Sequence, residues 1–298
     1  MKVFITGGTG FIGSHTAMLL HSVGHEIFIL ARNPDKVPAF RDMKNMTIIQ
    51  GDCRDKETIT KCVQGMDAVI HFALCYEEGA VAMLLNDTLQ SVQLFEAAAN
   101  AGVKHFIYTS STAGFGDFKP IMTEDMLSDS VDYYCATKAA SERFMLATSY
   151  MTNMRCNIVR PGLTFGCSAI EGGPVKPWVV ERIVKNAKCG EDITIMKNEG
   201  TQATSAADIA YAYKAILESD VNRQIYFAVS KNFVRMEDIA QKVIEKLGSK
   251  SKIVLTENIY GEKPRFIVPY KMDRDFGLTF DGWHEVDRVI DYCISMEG

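Results

Sequence analysis

The chain has 298 residues, 47% of them hydrophobic, enough for one large or two modest domains around a packed core. A net charge of −5 with both signs interspersed offers no basic face to nucleic acid or to an anionic membrane, and no apolar run approaches the ~18 residues of a membrane span. The sequence enters a strand at once, without a charged leader and cleavage site, so a cytoplasmic location is expected.

The first strand, Lys2–Thr6, runs straight into glycines at Gly7, Gly10 and Gly13 and then into an amphipathic helix that includes Phe11 and Ile12 and ends near Val23. Glycine is needed first where the chain turns sharply, next where backbone must approach a pyrophosphate, and last where helix and strand pack closely. Phosphates then sit on free N–H groups at the helix N-terminus. Further strands are expected at Glu26–Ala31, Met46–Gln50, Ala68–Phe72, Lys104–Thr109 and Arg155–Val159, with helices near 56–64, 80–100 and 133–151. This alternation over residues 1–165 is the pattern of an α/β, doubly wound parallel sheet covered on both faces. After Gly162 it breaks down, and 166–177 reads as a glycine- and proline-bearing loop that closes over a ligand. Residues 166–298 are read as a smaller substrate-binding part, interleaved with the first domain around 190–230. Helices are expected at 178–189, 206–218 (opened by Ser205), 236–247 and 284–296, and strands at 192–196 and 224–229.

The second strand ends Ala31-Arg32-Asn33-Pro34, where an acid would hold the ribose 2′-OH of NAD. Arg32 instead suits a 2′-phosphate, with Lys36 and His15 as support, so NADP is favoured over NAD. Asp52, after the third strand, is placed to meet the adenine amino group. Tyr134 and Lys138 stand four residues apart, hence on one helix face. An ammonium there favours the phenolate. Ser111, at the carboxyl end of the fifth strand, sits beside the nicotinamide, where its hydroxyl binds the substrate oxygen while tyrosine moves the proton. Tyr133 is a rival phenol, but its partner at the same spacing is Thr137. The eight cysteines (53, 62, 75, 135, 156, 167, 189, 293) show no Cys-x-x-Cys pair and no histidine at zinc spacing, so they are read as reduced, mostly buried thiols and no metal is expected.

These features in order resemble the extended short-chain dehydrogenase/reductases, the NAD-dependent epimerase/dehydratase group: the turn from Thr6 to Gly13, Gly51-Asp52, His71-Phe-Ala73, Asn86, Ser110-Ser111 followed by Gly116, Tyr134 and Lys138, Arg160-Pro161-Gly162 and Asp208. The resemblance implies a Rossmann fold, Ser111, Tyr134 and Lys138 as catalytic residues, and lysine gripping the nicotinamide ribose. It implies Phe72 and Ala73 as a floor of the cofactor cleft, Asn86 and Pro161 close to the cofactor, and a homodimer through the two long helices.

Departures narrow the reaction. Thr112 and Ala113 replace the Asp-Glu pair that dehydratases of the family carry after the catalytic hydroxyl, which argues against dehydration. No cation precedes Asp208 where nucleotide-sugar members place an arginine, which weakens a sugar-nucleotide substrate unless Arg182 or Arg265 substitutes. The expected activity is hydride transfer between NADP(H) and a small carbonyl or alcohol. The alternatives are a nucleotide-sugar epimerase that retains NAD and, from another class, a non-catalytic NADP-sensing regulator. Substrate contacts are sought among Tyr76, Glu77, Trp178, Arg265, Phe266 and Tyr270.

Overall fold

A computed structural model describes residues 1–115, 119–127, 129–259 and 266–296. Its first half runs β1 (Lys2–Thr6), α1 (Phe11–Ser22), β2 (Glu26–Ala31), β3 (Met46–Gln50), α2 (Lys56–Cys62), β4 (Ala68–His71), α3 (Ala80–Met83), α4 (Leu89–Asn100), β5 (His105–Thr109), β6 (Ile121–Met122), α5 (Tyr133–Met151) and β7 (Arg155–Pro161). There follow β8 (Thr164–Phe165), α6 (Val180–Cys189), β9 (Ile193–Met196), β10 (Gly200–Thr201), β11 (Thr204–Ser205), α7 (Ala206–Leu217), β12 (Ile225–Ala228), β13 (Val234–Arg235), α8 (Met236–Leu247), β14 (Ile253–Thr256), β15 (Phe266–Ile267), α9 (Tyr270–Phe276) and α10 (Val286–Ser295).

Seven parallel strands form the central sheet in the order β12-β7-β5-β4-β1-β2-β3. The chain winds outward from β1 in both directions, and the crevice at such a reversal is where a doubly wound sheet binds its ligand. Side-chain alternation distributes the core. Val3 and Ile5 of β1 join the layer under α1 and α7, whereas Phe4 joins the layer under α2, α4 and α5. A separate apolar cluster joins α6, α8 and α10 to Ile193 and Ile195 of β9, giving the C-terminal part its own core.

Most expected elements fall within a residue or two of their observed ends. One differs in kind. The helix expected over 80–100 is interrupted by a π turn, Leu84–Thr88, between α3 and α4. The strand expected at 224–229, β12, pairs with β7 and forms an edge of the central sheet, within the stretch expected to interleave with the first domain. Its partner α7 is started by Ser205, whose Oγ accepts from the Asp208 amide.

Glu142 and Arg160 form a buried bidentate pair, Nε to Oε1 at 2.7 Å and Nη2 to Oε2 at 2.5 Å, tying α5 to β7. Two histidines lie within the sheet. His71 accepts from Thr6 Oγ1 at 2.5 Å and donates through Nε2 to Ser91 Oγ at 3.0 Å, since Ser91 donates onward to the Asp87 carbonyl. The ring is neutral in that chain of donors. Burial, assisted by the Lys138 charge, lowers His71 to about 3; burial, assisted by Arg155, lowers His105 to about 4. Unfolded histidine titrates near 6.5, so below that pH the unfolded chain takes up protons that the folded chain refuses. Stability is thus fully present above pH ~6.5 and lost as the pH falls toward 4, at about 1.4 kcal/mol per pH unit for each histidine. Urea midpoints at pH 7 and pH 5 check this: His105→Asn is expected to show a shallower loss than the parent, and a parent with no loss contradicts the neutral assignment.

Candidate active site

A groove crosses the carboxyl edge of the sheet as two adjoining cavities of about 250 and 300 Å³ that share Gly7, Gly10, Phe72 and Leu74. The first is lined by Arg32, Gly51, Asp52, Cys53, Ala73 and Cys75 among others, the second by Phe11, Ile12, Gly13, Ser110, Ser111, Tyr134, Lys138, Pro161, Thr164 and Lys176 among others. At the junction lies the turn after β1. Gly7 has φ +68°, and a Cβ there would stand 2.7 Å from the Ala73 nitrogen; a Cβ on Gly13 would stand 2.2 Å from the Gly7 carbonyl oxygen. Only glycine fits either position. The resulting bare backbone, followed by the start of α1, is a cradle for a pyrophosphate. Ser110 Oγ, buried with no hydrogen-bond partner, adds an unused polar atom beside the second cavity. The groove therefore fits an extended dinucleotide.

At the first end Arg32 is exposed at the tip of β2. Asp52 is held by Arg54 through Nε at 3.0 Å and Nη2 at 2.8 Å, and that hydrogen bonding, with the Arg32 charge adding, keeps its carboxyl below the usual range. His15 is not among the lining of the Arg32 cavity, and its Nε2 donates to the Cys167 carbonyl at 3.0 Å. Lys36 as a side chain, Gly116 and Arg265 lie outside the described residues.

At the other end α5 begins at Tyr133, with the Asp132 carboxylate accepting from the Cys135 amide at 2.7 Å. This sets the helix phase so that Tyr134 and Lys138 face the groove while Tyr133 is exposed. Cys135 is buried against the Ala113 carbonyl and is not among the groove lining. The Ser111 hydroxyl accepts from the Ala113 amide at 3.1 Å, leaving its proton available to a ligand.

Lys138 is almost fully buried. Its Nζ donates to Tyr108 Oη at 3.3 Å, lies 5.9 Å from the centroid of the Tyr134 ring, and stands 3.6 Å from Asp87 Oδ2. Burial works against its charge, but Tyr108, Asp87 and Tyr134 together outweigh burial and hold the ammonium above its ordinary pKa. Asp87 is the site residue that sequence reasoning missed. It sits on the π turn, buried, its Oδ1 accepting weakly from the Cys75 amide at 3.3 Å. Asn86, its neighbour, is half-buried on the same turn and is not among the groove lining.

Of the side chains sought as substrate contacts, Trp178, Phe266 and Tyr270 are not among the cavity lining. Trp178 packs on Phe165 against the second core, Phe266 stacks on Phe233, and the Tyr270 hydroxyl bonds to Asp125. Tyr76 is exposed with its ring 6.5 Å from that of Tyr134, and Glu77 is likewise exposed. Arg182 turns to the Thr194 carbonyl, and Asp208 is engaged by Ser205 and His284. Leu74, Thr164 and Lys176 line the cavity instead.

The chain belongs to the NAD dependent epimerase/dehydratase family, whose model matches residues 3–229. It is 38% identical over 130 residues to a UDP-glucose 4-epimerase of Klebsiella pneumoniae, covering 39% of this chain and 94% of that one. It is 29% identical over 181 residues to a 3 beta-hydroxysteroid dehydrogenase/Delta 5-->4-isomerase of Mycobacterium tuberculosis (strain CDC 1551 / Oshkosh), covering 55% of this chain. The chain spans only 47% of that relative's length, and about half the length of several other curated relatives. A crystal structure of UDP-glucuronic acid 4-epimerase from Bacillus cereus in complex with NAD superposes with a TM-score of 0.81 at 18% identity, over 99% of this chain and 100% of that one. That likeness establishes the shared fold.

The buried ion pair is directly testable. Asp87→Ala leaves the Lys138 charge in the interior without its carboxylate, and is expected to cost about 3–5 kcal/mol of folding stability by denaturant titration. An unchanged unfolding free energy means that Asp87 is not the counter-ion.

Proposed function

We propose that the chain binds a nicotinamide dinucleotide along the groove and catalyses hydride transfer at a small carbonyl or alcohol carbon. The observation that carries this reading is one continuous groove with the glycine turn at its middle and Ser111, Tyr134 and Lys138 at one end. A bound nicotinamide supplies the hydride acceptor or donor. Ser111 hydrogen-bonds the substrate oxygen. Tyr134 takes the hydroxyl proton when the alcohol is oxidised and returns it when the carbonyl is reduced. Lys138 keeps a positive charge beside the phenol, held there by Asp87 and Tyr108. A small substrate is favoured because, beyond Lys138, Lys176 is the cation lining this cavity, and Arg182 is engaged elsewhere.

A second reading has a specific basis in the comparisons. A nucleotide-sugar epimerase uses the same three residues but keeps its dinucleotide through the cycle, and several relatives carry that activity in their names. The non-catalytic regulator is disfavoured by the convergence of Tyr134 and Lys138 on the groove. The dinucleotide is likewise open to two supports: the structural neighbours bind NAD, whereas Arg32 at the tip of β2 favours a 2′-phosphate. No helix among the described residues is long and apolar enough to cross a membrane, and a cytoplasmic location is proposed on the charge and free thiols.

Denaturing the purified protein and identifying the released dinucleotide by mass spectrometry separates these readings. An empty chain that binds NADPH over NADH, with the preference lost in Arg32→Ala, supports the exchangeable reductase; stoichiometric retained NAD overturns it in favour of the epimerase. Tyr134→Phe is expected to lower turnover by at least ~100-fold with either cofactor, the usual scale of a lost proton-transfer group.

We also propose a homodimer through α3–α4 and α5. Val81, Leu84, Leu85 and Leu89 on the first helical run and Phe144, Tyr150 and Met151 on α5 are large apolar side chains left exposed. Sedimentation at equilibrium is expected to give twice the chain mass, reduced to a monomer by Leu85→Asp with Phe144→Asp; a monomeric parent removes this proposal.

A further inference from the structure

The adenosine end of the groove contains two thiols that the sequence keeps apart. Cys53 follows Asp52 on the loop leaving β3, and Cys75 lies on the loop leaving β4. Both line the 250 Å³ cavity. Their sulphurs converge on one acceptor: Sγ of Cys53 is 3.7 Å and Sγ of Cys75 is 3.8 Å from Oε1 of Gln90, a buried side chain of α4. Both sulphurs reach the same amide oxygen, and a hydrogen bond links the two thiols to each other. Among the other cysteines, 62, 135, 156, 167 and 293 are buried and Cys189 is exposed on α6, so this is the pair that the fold sets together beside a solvent-open groove.

Their acidities separate in the way that a reactive pair requires. When the Cys53 proton turns from Gln90 to its neighbour, the hydrogen bond between the two thiols lowers Cys75 to about 7, against burial and the Asp87 and Asp52 charges and with help from Arg54; the same interaction, followed by burial, pushes Cys53 up. Thiolate is the nucleophilic form, so Cys75 attacks and Cys53 resolves.

We propose that Cys53 and Cys75 form a reversible dithiol–disulfide pair, oxidised by hydroperoxides, that controls entry of the adenosine half of a dinucleotide into the groove. The Cys75 thiolate attacks one peroxide oxygen; the S–O bond forms, the O–O bond breaks, and hydroxide leaves and takes a proton. The Cys53 sulphur then attacks the sulfenic sulphur, loses its proton, and expels the oxygen as a second water. Two thiols and one hydrogen peroxide become one disulfide and two waters, the sulphurs giving up two electrons. A small dithiol reductant reverses the change. The covalent bond shortens the sulphur separation to about 2.05 Å, drawing the β3 and β4 loops together over the wall that Asp52 and Ala73 share. Gln90 loses both donors at once.

The proposal rests on the dinucleotide reading of the groove for its consequence, though not for the chemistry of the thiols. The full chain is treated with hydrogen peroxide, free thiols are alkylated, and peptides are mapped by mass spectrometry, with NAD and NADP affinities measured before and after. The expected result is a cross-link between the peptides bearing Cys53 and Cys75, formed more slowly when dinucleotide is saturating. Affinity is expected to fall at least ~10-fold, the equivalent of about 1.4 kcal/mol, and to return with dithiothreitol. Cys75→Ser is expected to bind equally before and after peroxide. Both thiols remaining alkylatable, or a cross-link with unchanged affinity, overturns the proposal. Failure of the reduced chain to bind either dinucleotide overturns the groove reading and the control of entry, while the peptide map still decides whether the pair is redox-active.

Discussion

A cation with almost no access to water has to be matched by its surroundings, and Lys138 imposes that requirement on three separate parts of the chain. The Tyr108 hydroxyl reaches it from β5, the Asp87 carboxylate from the π turn, and the Tyr134 ring from its own helix. A regular helix through 84–88 would carry Asp87 through a different angle, so the extra residue of the π turn is best understood as the device that aims this carboxylate. The same turn ends the donor chain from Thr6 through His71 and Ser91, which joins the strand before the glycines to the helix that carries the acid. Stability and the placement of the cationic site are thus the same problem. The Glu142–Arg160 pair solves its remaining part by fixing α5 on β7.

Local signals made the cofactor half legible. Strand alternation in β1, the three glycines and the four-residue spacing on α5 are each decided within a few residues, and Gly7, Gly10, Gly13, Ser111, Tyr134 and Lys138 all line one groove. What the sequence concealed depends on non-local geometry. A π turn has no distinctive composition, so Asp87 read as one more polar residue of a long helix. Cys53 and Cys75 meet because the loops leaving β3 and β4, strands with β1 and β2 between them in the sheet, both run to Gln90 of α4. His15 looked available to Arg32 because proximity along α1 says nothing of the Cys167 carbonyl that receives its ring.

The substrate side was the least legible, for a physical reason. Large aromatic residues signal either a pocket or a core, and Trp178 is committed to the second apolar cluster. The groove is completed by modest residues, Leu74, Thr164 and Lys176, which carry no signature in sequence. Shared family membership therefore constrains the handling of the dinucleotide more tightly than the identity of the molecule it reacts with.

The position of β12 has a consequence for how the molecule comes into being. β1 lies inside the sheet, but one edge is formed only by Ile225–Ala228, after the chain has made α6, β9 and α7. Until that segment leaves the ribosome, β7 presents an unpaired row of backbone groups and the layer under α7 lacks Tyr226 and Ala228. β12 then becomes the edge in its place, so that the late segment replaces the seven-residue edge of β7 with one of four residues, a shorter template for stray pairing.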